Sequence, residues 1–464
     1  MIRSTLFILS LLTYFSCNSS NLFAQTNTNT MQTQTVKSTD NQNISTQINS
    51  QLEKNTPSLI ELYTYLHQNP ELSEQEEETS KKMASELRNL GYEVTEKFGD
   101  YGVVAVMKNP PTNGKGKTIL IRTDTDGLPV EEKTGLPYSS TMKRTDKDGN
   151  EVSVMHACGH DVHMTVLVGV AQTMANLKDT WKGTLILVAQ PAEEVGSGAK
   201  AMLEAELYKK FGTPDYALAL HTNANLPHGT IGYCKGAALA NVDMINITVF
   251  GSGGHGAYPH TTKDPIVLAS QMILGFQTIV SRETSPTDAA VVTVGSFHAG
   301  TKHNIISDRA ELQLTLRSYT DKVRNHTLEA IERMAKGYAM AAGVEKMPII
   351  EIEGNPSPAT INNPELTEKV ANSAKKIIGI ENVVEVDPVM GGEDFSRFGR
   401  TAENVPICMF WLGVIEPEKI AESKKTGKPL PSLHSPFYAP VPKPSIQTGI
   451  KVMVQSAVDL FSEE

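Results

Sequence analysis

The chain has 464 residues, a formal net charge of -10, and 39% hydrophobic and 6% aromatic residues. That length accommodates two or three domains with ordinary soluble cores. With no long basic run to offset it, the acidic balance argues against nucleic acid as a partner.

Met1-Ile-Arg3, the apolar run Leu6 to Leu12 and the polar continuation have the layout of a secretory signal, too short for a membrane span. Cleavage after Ala24 is expected, with Cys17 as a less favoured lipoprotein acceptor, so the product would be exported to the periplasm or the medium. Residues 25–50 are nearly all Asn, Thr, Gln and Ser and predict a disordered tether. Cleavage leaves Cys158, Cys234 and Cys408, an odd count that cannot form a disulfide framework. Cys234 and Cys408 read as small buried residues, a bridge between them being the minor alternative.

Two helices are expected next, Leu52 to His67 and Glu74 to Leu90, the second stopped by Gly91. Unbroken apolar runs at Gly102 to Met107, Lys117 to Thr123, Gly183 to Ala189 and Tyr216 to Leu220 predict strands covered on both faces, and helices between them make an α/β sheet. Residues Lys143 to Glu151 read as a surface hairpin. From Val242 to Glu353 the order changes to β-α-β-β-α-β, the order of a ferredoxin-like unit inserted into the first domain. Helix Pro364 to Ile378, strand Pro406 to Trp411 and a closing helix from Ser445 to Phe461 complete the chain. The expected organisation is therefore a catalytic domain over 51–240 and 355–464, interrupted by an inserted domain over 241–354.

Chemistry concentrates in His156-Ala-Cys-Gly-His-Asp-Val-His163, at the start of a helix whose N-terminus is expected to lower the Cys158 pKa. Ligands in open α/β sheets gather at the carboxyl ends of strands. Three runs end there in suitable groups: Asp124 and Asp126 after one strand, Glu193 and Glu194 after another, His221 after a third. Cys158, His160, Glu194, His221 and His434 form a mixed sulfur, nitrogen and oxygen set suited to Zn2+ or Mn2+, with Co2+ as a third option. Five ligands are too many for one catalytic ion and fit two divalent ions sharing a bridging group. Glu193, beside Glu194, is then the candidate proton shuttle.

The chain resembles the metal-dependent aminoacylase and carboxypeptidase superfamily, in the branch of hippurate hydrolase and the indoleacetyl-amino-acid hydrolases. The matching motifs are His67-Gln-Asn-Pro-Glu-Leu-Ser73, Arg122-Thr-Asp-Thr-Asp-Gly-Leu-Pro129, the His156 to His163 run, Gln190-Pro-Ala-Glu-Glu194, Gly253-Gly-His-Gly-Ala-Tyr-Pro-His260, Asn304-Ile-Ile306, Gly391-Gly-Glu-Asp-Phe395 and His434-Ser-Pro-Phe437. The resemblance implies a bridging Cys158, with His160, Glu194, His221 and His434 completing the shell. It implies Glu193 as acid/base, and a lid that forms a homodimer and passes His255 to the partner's site as an oxyanion donor. Asp124 is expected to orient a ligand histidine, Asn304 to support the site or the substrate, and His163 to be structural. Ser307 and Ser435 depart from the family's usual Pro and Asn, which leaves substrate preference open. The expected activity is hydrolysis of the amide bond of small N-acyl amino acids by metal-bound hydroxide. The alternatives are a di-metal dipeptidase or carboxypeptidase of the same fold and, in another class, an exported metal-dependent binding protein.

Overall fold

The computed structural model describes residues 28–463 apart from Lys115, with side chains from Ile44 onward. The expected leader over residues 1–24, including Cys17, lies outside them. Helix α1 spans Thr28–Gln68 and takes in residues 28–50 of the stretch expected as a tether. Ile48 and Leu52 are buried four residues apart and begin a face that Leu59 and Leu66 continue. Among the described residues no helix is long and apolar enough to cross a membrane.

The remaining elements are α2 (Glu77–Asn89), β1 (Glu93–Thr95), β2 (Val103–Asn109), β3 (Lys117–Asp124), α3 (His160–Asn176), β4 (Gly183–Gln190), β5 (Tyr216–Pro227), β6 (Ile231–Tyr233), β7 (Asn241–Phe250), α4 (Pro265–Thr278), β8 (Ala290–Ala299), β9 (Arg309–Ser318), α5 (Asp321–Ala342), β10 (Ile349–Ser357), α6 (Pro364–Ile378), β11 (Val383–Glu385), β12 (Ile407–Ile415) and α7 (Pro442–Phe461), with shorter pieces between them. An eight-stranded mixed sheet runs in the order β1-β2-β4-β3-β5-β12-β6-β11. Its centre is parallel, β3 lying between β4 and β5 and β5 pairing with β12, so their carboxyl ends open on one side. Strand β2 enters antiparallel to β4. Helix α3 packs on this sheet and against α7, with almost no gap: a Cβ on Gly169 would come within 2.2 Å of Ile450.

Residues of β7 to β10 form a separate four-stranded antiparallel sheet in the order β8-β9-β7-β10. Alternation along β7 buries Ile245, Ile247 and Val249 against Leu268, Met272 and Phe276 of α4 and Ile331 of α5. The hairpin expected at Lys143 to Glu151 is present, Lys143–Thr145 pairing with Glu151–Ser153. Cys234 and Cys408 are buried free thiols, so the bridge between them is not formed.

Candidate metal centre

The carboxyl ends of β3, β4 and β5 and the start of α3 meet around Cys158. Gly159 makes this turn at φ +83°, and a Cβ there would stand 2.7 Å from Thr222 Oγ1, so the position suits glycine on both counts. The Thr222 hydroxyl closes the turn by donating to the Cys158 carbonyl at 2.8 Å. His434 sits in a loop tied to the same turn, its N–H donating to the Ala157 carbonyl at 2.9 Å.

Potential ligand atoms within 4.8 Å of one another form several overlapping groups, among them His160 with Glu193 and Glu194, and two that hold the thiol, Cys158 with His160 and His221 and Cys158 with Glu194 and His434. Cys158 is common to both. Its Sγ is 3.5 Å from His221 Nε2, while Glu194 lies 3.9 Å from His160 Nε2 and 3.5 Å from His434 Nε2. His160 Nδ1 is within 2.8 Å of the Asp126 carbonyl and His221 Nδ1 within 2.9 Å of the Thr222 carbonyl, contacts that assign a proton to each Nδ1 and turn Nε2 inward. Glu193 stands beside the group, 4.0 Å from His160 Nε2.

His163 is different. Its Nδ1 faces Asp124 at 2.6 Å and its Nε2 accepts the Thr222 N–H at 2.8 Å, leaving no free nitrogen. Asp124 therefore orients His163, and its carboxylate also stands 3.7 Å from His160 Nε2. Asp126 does that work for His160, through its carbonyl and a carboxylate 3.3 Å from Nδ1.

Electrostatics test whether the group suits cations. Burial raises the Cys158 thiol well above its ordinary value, and Glu194 and Glu193 raise it further, so the expected lowering by the helix end is overridden. Glu194 is pushed up to about 8 by burial, against the pull of His160, and Glu193 is raised well above the carboxylate range by burial, Glu393 and Glu194. Burial and His163 push His221 down to about 3. His160 Nε2 and Glu194 Oε1 are buried without a hydrogen-bond partner among the described residues. A thiol, carboxylates and imidazoles crowded in this way fit positive ions well and one another poorly.

Under the centre lies a buried guanidinium. Arg122 donates to Asp124 at 2.8 Å, Glu393 at 2.9 Å, Asp394 at 3.0 Å and Gln190 at 2.9 Å, joining three motifs that are far apart in sequence. Glu393, Asp394 and Gln190 had no assigned role from sequence; the signal for them was a charged Arg122 inside an apolar strand, which requires buried partners. His255 and Asn304 lie together elsewhere. His255 pairs with Ile305 in a short two-stranded ladder and Asn304 accepts the Gly256 N–H at 2.9 Å. Among the described residues neither bonds to the Cys158 group.

The sequence signature of peptidase family M20/M25/M40 matches residues 120–455. The chain belongs to this family. The M20/M25/M40 member described here is thus an amidohydrolase enzyme, in agreement with the residues at its centre. It is 38% identical over 363 residues to thermostable carboxypeptidase 2 of Saccharolobus solfataricus, covering 78% of this chain and 87% of that relative. It is 40% identical over 338 residues to the hippurate hydrolase of Campylobacter jejuni, covering 72% and 82%. A solved dinuclear metal binding peptidase of the M20 family from Bacillus subtilis superposes with a TM-score of 0.71 at 28% identity, covering 88% of this chain and 99% of that one.

Proposed function

We propose that this M20/M25/M40 member hydrolyses the amide bond of N-acyl amino acids. The observation that carries the reading is Cys158, common to two ligand groups, with Glu193 beside them. Cys158, His160, Glu194, His221 and His434 would hold two divalent ions, Mn2+ or Zn2+. Bound there, such ions supply Lewis acidity that makes water nucleophilic at neutral pH and polarises the scissile carbonyl. Glu193 takes the proton of the attacking water on a carboxylate oxygen and returns it to the leaving amine nitrogen. Its position supports this, because it adjoins the ligand Glu194 and stands 4.0 Å from His160 Nε2.

The unit of β7 to β10 with α4 and α5 is proposed as the inserted ferredoxin-like lid, and a second copy of the chain as its partner. In support, α4 leaves Val267 and Leu274 54% and 71% exposed on an apolar helix. His255 supports a role across that dimer. Its Nδ1 accepts the Ala257 N–H at 3.0 Å, which puts the proton on Nε2, a donor on an exposed residue that could stabilise a developing oxyanion in the partner's site. Export remains the proposed destination.

A second reading, dipeptidase or carboxypeptidase, is favoured by the identity to the Saccharolobus carboxypeptidase. Metal-free protein reconstituted with Mn2+, Zn2+ or Co2+ and assayed on benzoyl- and acetyl-amino acids beside free-amine dipeptides separates the two. Faster turnover of the acylated compounds is expected; turnover of dipeptides alone would overturn the first reading.

A further inference from the structure

Ala192, the residue before Glu193 and Glu194, has a backbone φ of +52°, in the left-handed region that a residue with a Cβ rarely adopts. It is 3% exposed. Its carbonyl accepts the N–H groups of Ser197 and Gly198 at 3.2 Å, and the Glu193 carbonyl accepts that of Gly196 at 2.8 Å, so the Glu pair rides on a tight turn. The amide of Ala192 is directed elsewhere, to Glu76 Oε1 at 2.7 Å. Glu76 is fully buried and occupies the N-cap position of α2, yet its carboxylate makes no capping bond there and its Oε2 is without a partner among the described residues. A carboxylate at a helix start is normally stabilised by the unpaired amides of that helix. This one is spent on the turn instead. Two residues on, the Glu194 N–H donates to Asp126 Oδ2 at 3.0 Å, an oxygen that also accepts the Ser73 hydroxyl at 2.7 Å. The Glu pair is therefore slung between two buried carboxylates, both reached from the segment that follows α1.

We propose that Glu76 is a positioning residue for amide hydrolysis: by accepting the Ala192 N–H it holds the left-handed turn that aims Glu193 at the reacting water and Glu194 at its ion. The inference rests on the functional reading above. The role needs an acceptor at Oε1, so an amide oxygen can replace the carboxylate, and it needs left-handed backbone at 192, which glycine adopts without a Cβ clash.

The test uses full-length Glu76→Ala, Glu76→Gln and the double variant Glu76→Ala with Ala192→Gly. The readouts are Mn2+ stoichiometry and affinity by calorimetry, kcat and KM on a benzoyl-amino acid, and the thermal midpoint. Glu76→Ala should lower kcat about 30-fold with KM nearly unchanged, since small misplacements of reacting groups are costly, and should weaken Mn2+ binding about tenfold. Glu76→Gln should keep both within about threefold. Adding Ala192→Gly to Glu76→Ala should recover about tenfold in kcat and most of the affinity without raising the midpoint. A purely structural Glu76 would lower the midpoint and show no such recovery. Wild-type kcat and affinity in Glu76→Ala, equal damage in the Gln and Ala variants, or a double variant no better than the single one would each overturn the proposal. Where the alanine variant does not fold, Glu76→Met fills the volume without an acceptor and takes its place. If wild-type protein turns over neither acylated amino acids nor dipeptides, the functional reading fails, and the Mn2+ affinities still decide the role of Glu76.

Discussion

Glu193 and Cys158 are neighbours in space with opposite demands. In the proposed reaction Glu193 would exchange a proton without holding a metal, whereas Cys158, common to two ligand groups, would lose its proton to the ions. Glu193→Gln keeps the shape and removes proton transfer, so metal content should stay normal while kcat falls by about two to four powers of ten. Elemental analysis beside a hydrolysis assay checks this; near-normal turnover would exclude the shuttle role. Cys158→Ala removes the atom common to both groups, and here metal and activity should disappear together. Two equivalents of metal remaining on that variant would exclude the bridge. Both residues were legible from sequence because strand ends and a Cys-Gly-His turn advertise them. Asp126 was less so: two carboxylates two apart are equivalent on paper, and only folding shows that Asp124 is taken by Arg122 and His163 while Asp126 faces His160.

Elements meet at the centre through buried charge. His67, at the end of α1, lies between Asp161 in the first turn of α3, 2.6 Å away, and Glu132, 3.2 Å away. Burial would depress His67, but the two carboxylates outweigh it and raise its pKa to about 9. A histidine raised on folding stabilises the fold fully below its ordinary value of 6.5, and that contribution fades as pH climbs to about 9. The thermal midpoint should fall across this window. His67→Gln should be less stable at pH 6 by about 3 kcal/mol, because two buried carboxylates lose their cation, and should lose little more between pH 6.5 and 9. Equal slopes for both proteins would show that His67 carries no such linkage. The turn before α3 is a second joint: Gly159→Ala adds a Cβ 2.7 Å from Thr222 Oγ1 in left-handed backbone, expected to cost at least about 1–2 kcal/mol and to reduce metal content. A variant with full metal and unchanged denaturant midpoint would show that the turn accommodates it. Helix α6 has the boundaries expected from sequence, Pro364 to Ile378, and the Asn363 side chain caps its start. The strands Ile231–Tyr233 and Val383–Glu385 were missed, being three residues each, too short for a period to register.

At the scale of the whole molecule, the described residues bring Cys158, His160, Glu194, His221 and His434 together with Glu193 beside them, and hold His255 in a separate two-stranded ladder. The eight-stranded sheet was readable as α/β from its apolar runs, but its order was not, since a sequence carries strand identity more clearly than pairing. The proposed lid adds a point that no single chain decides: whose site His255 serves. Its Nε2 donor is exposed, and removing an oxyanion donor typically costs about a hundred- to a thousand-fold in rate. If His255 acts in the partner, Glu193→Gln and His255→Ala proteins should each be nearly inactive and yet recover activity on mixing. A mixed dimer places both lesions in one site and leaves the other intact, so complete exchange at equal amounts puts half the molecules in mixed dimers and returns about a quarter of wild-type activity. Labelled subunits report the exchange independently. Complete exchange without recovery would mean that His255 serves its own subunit or none.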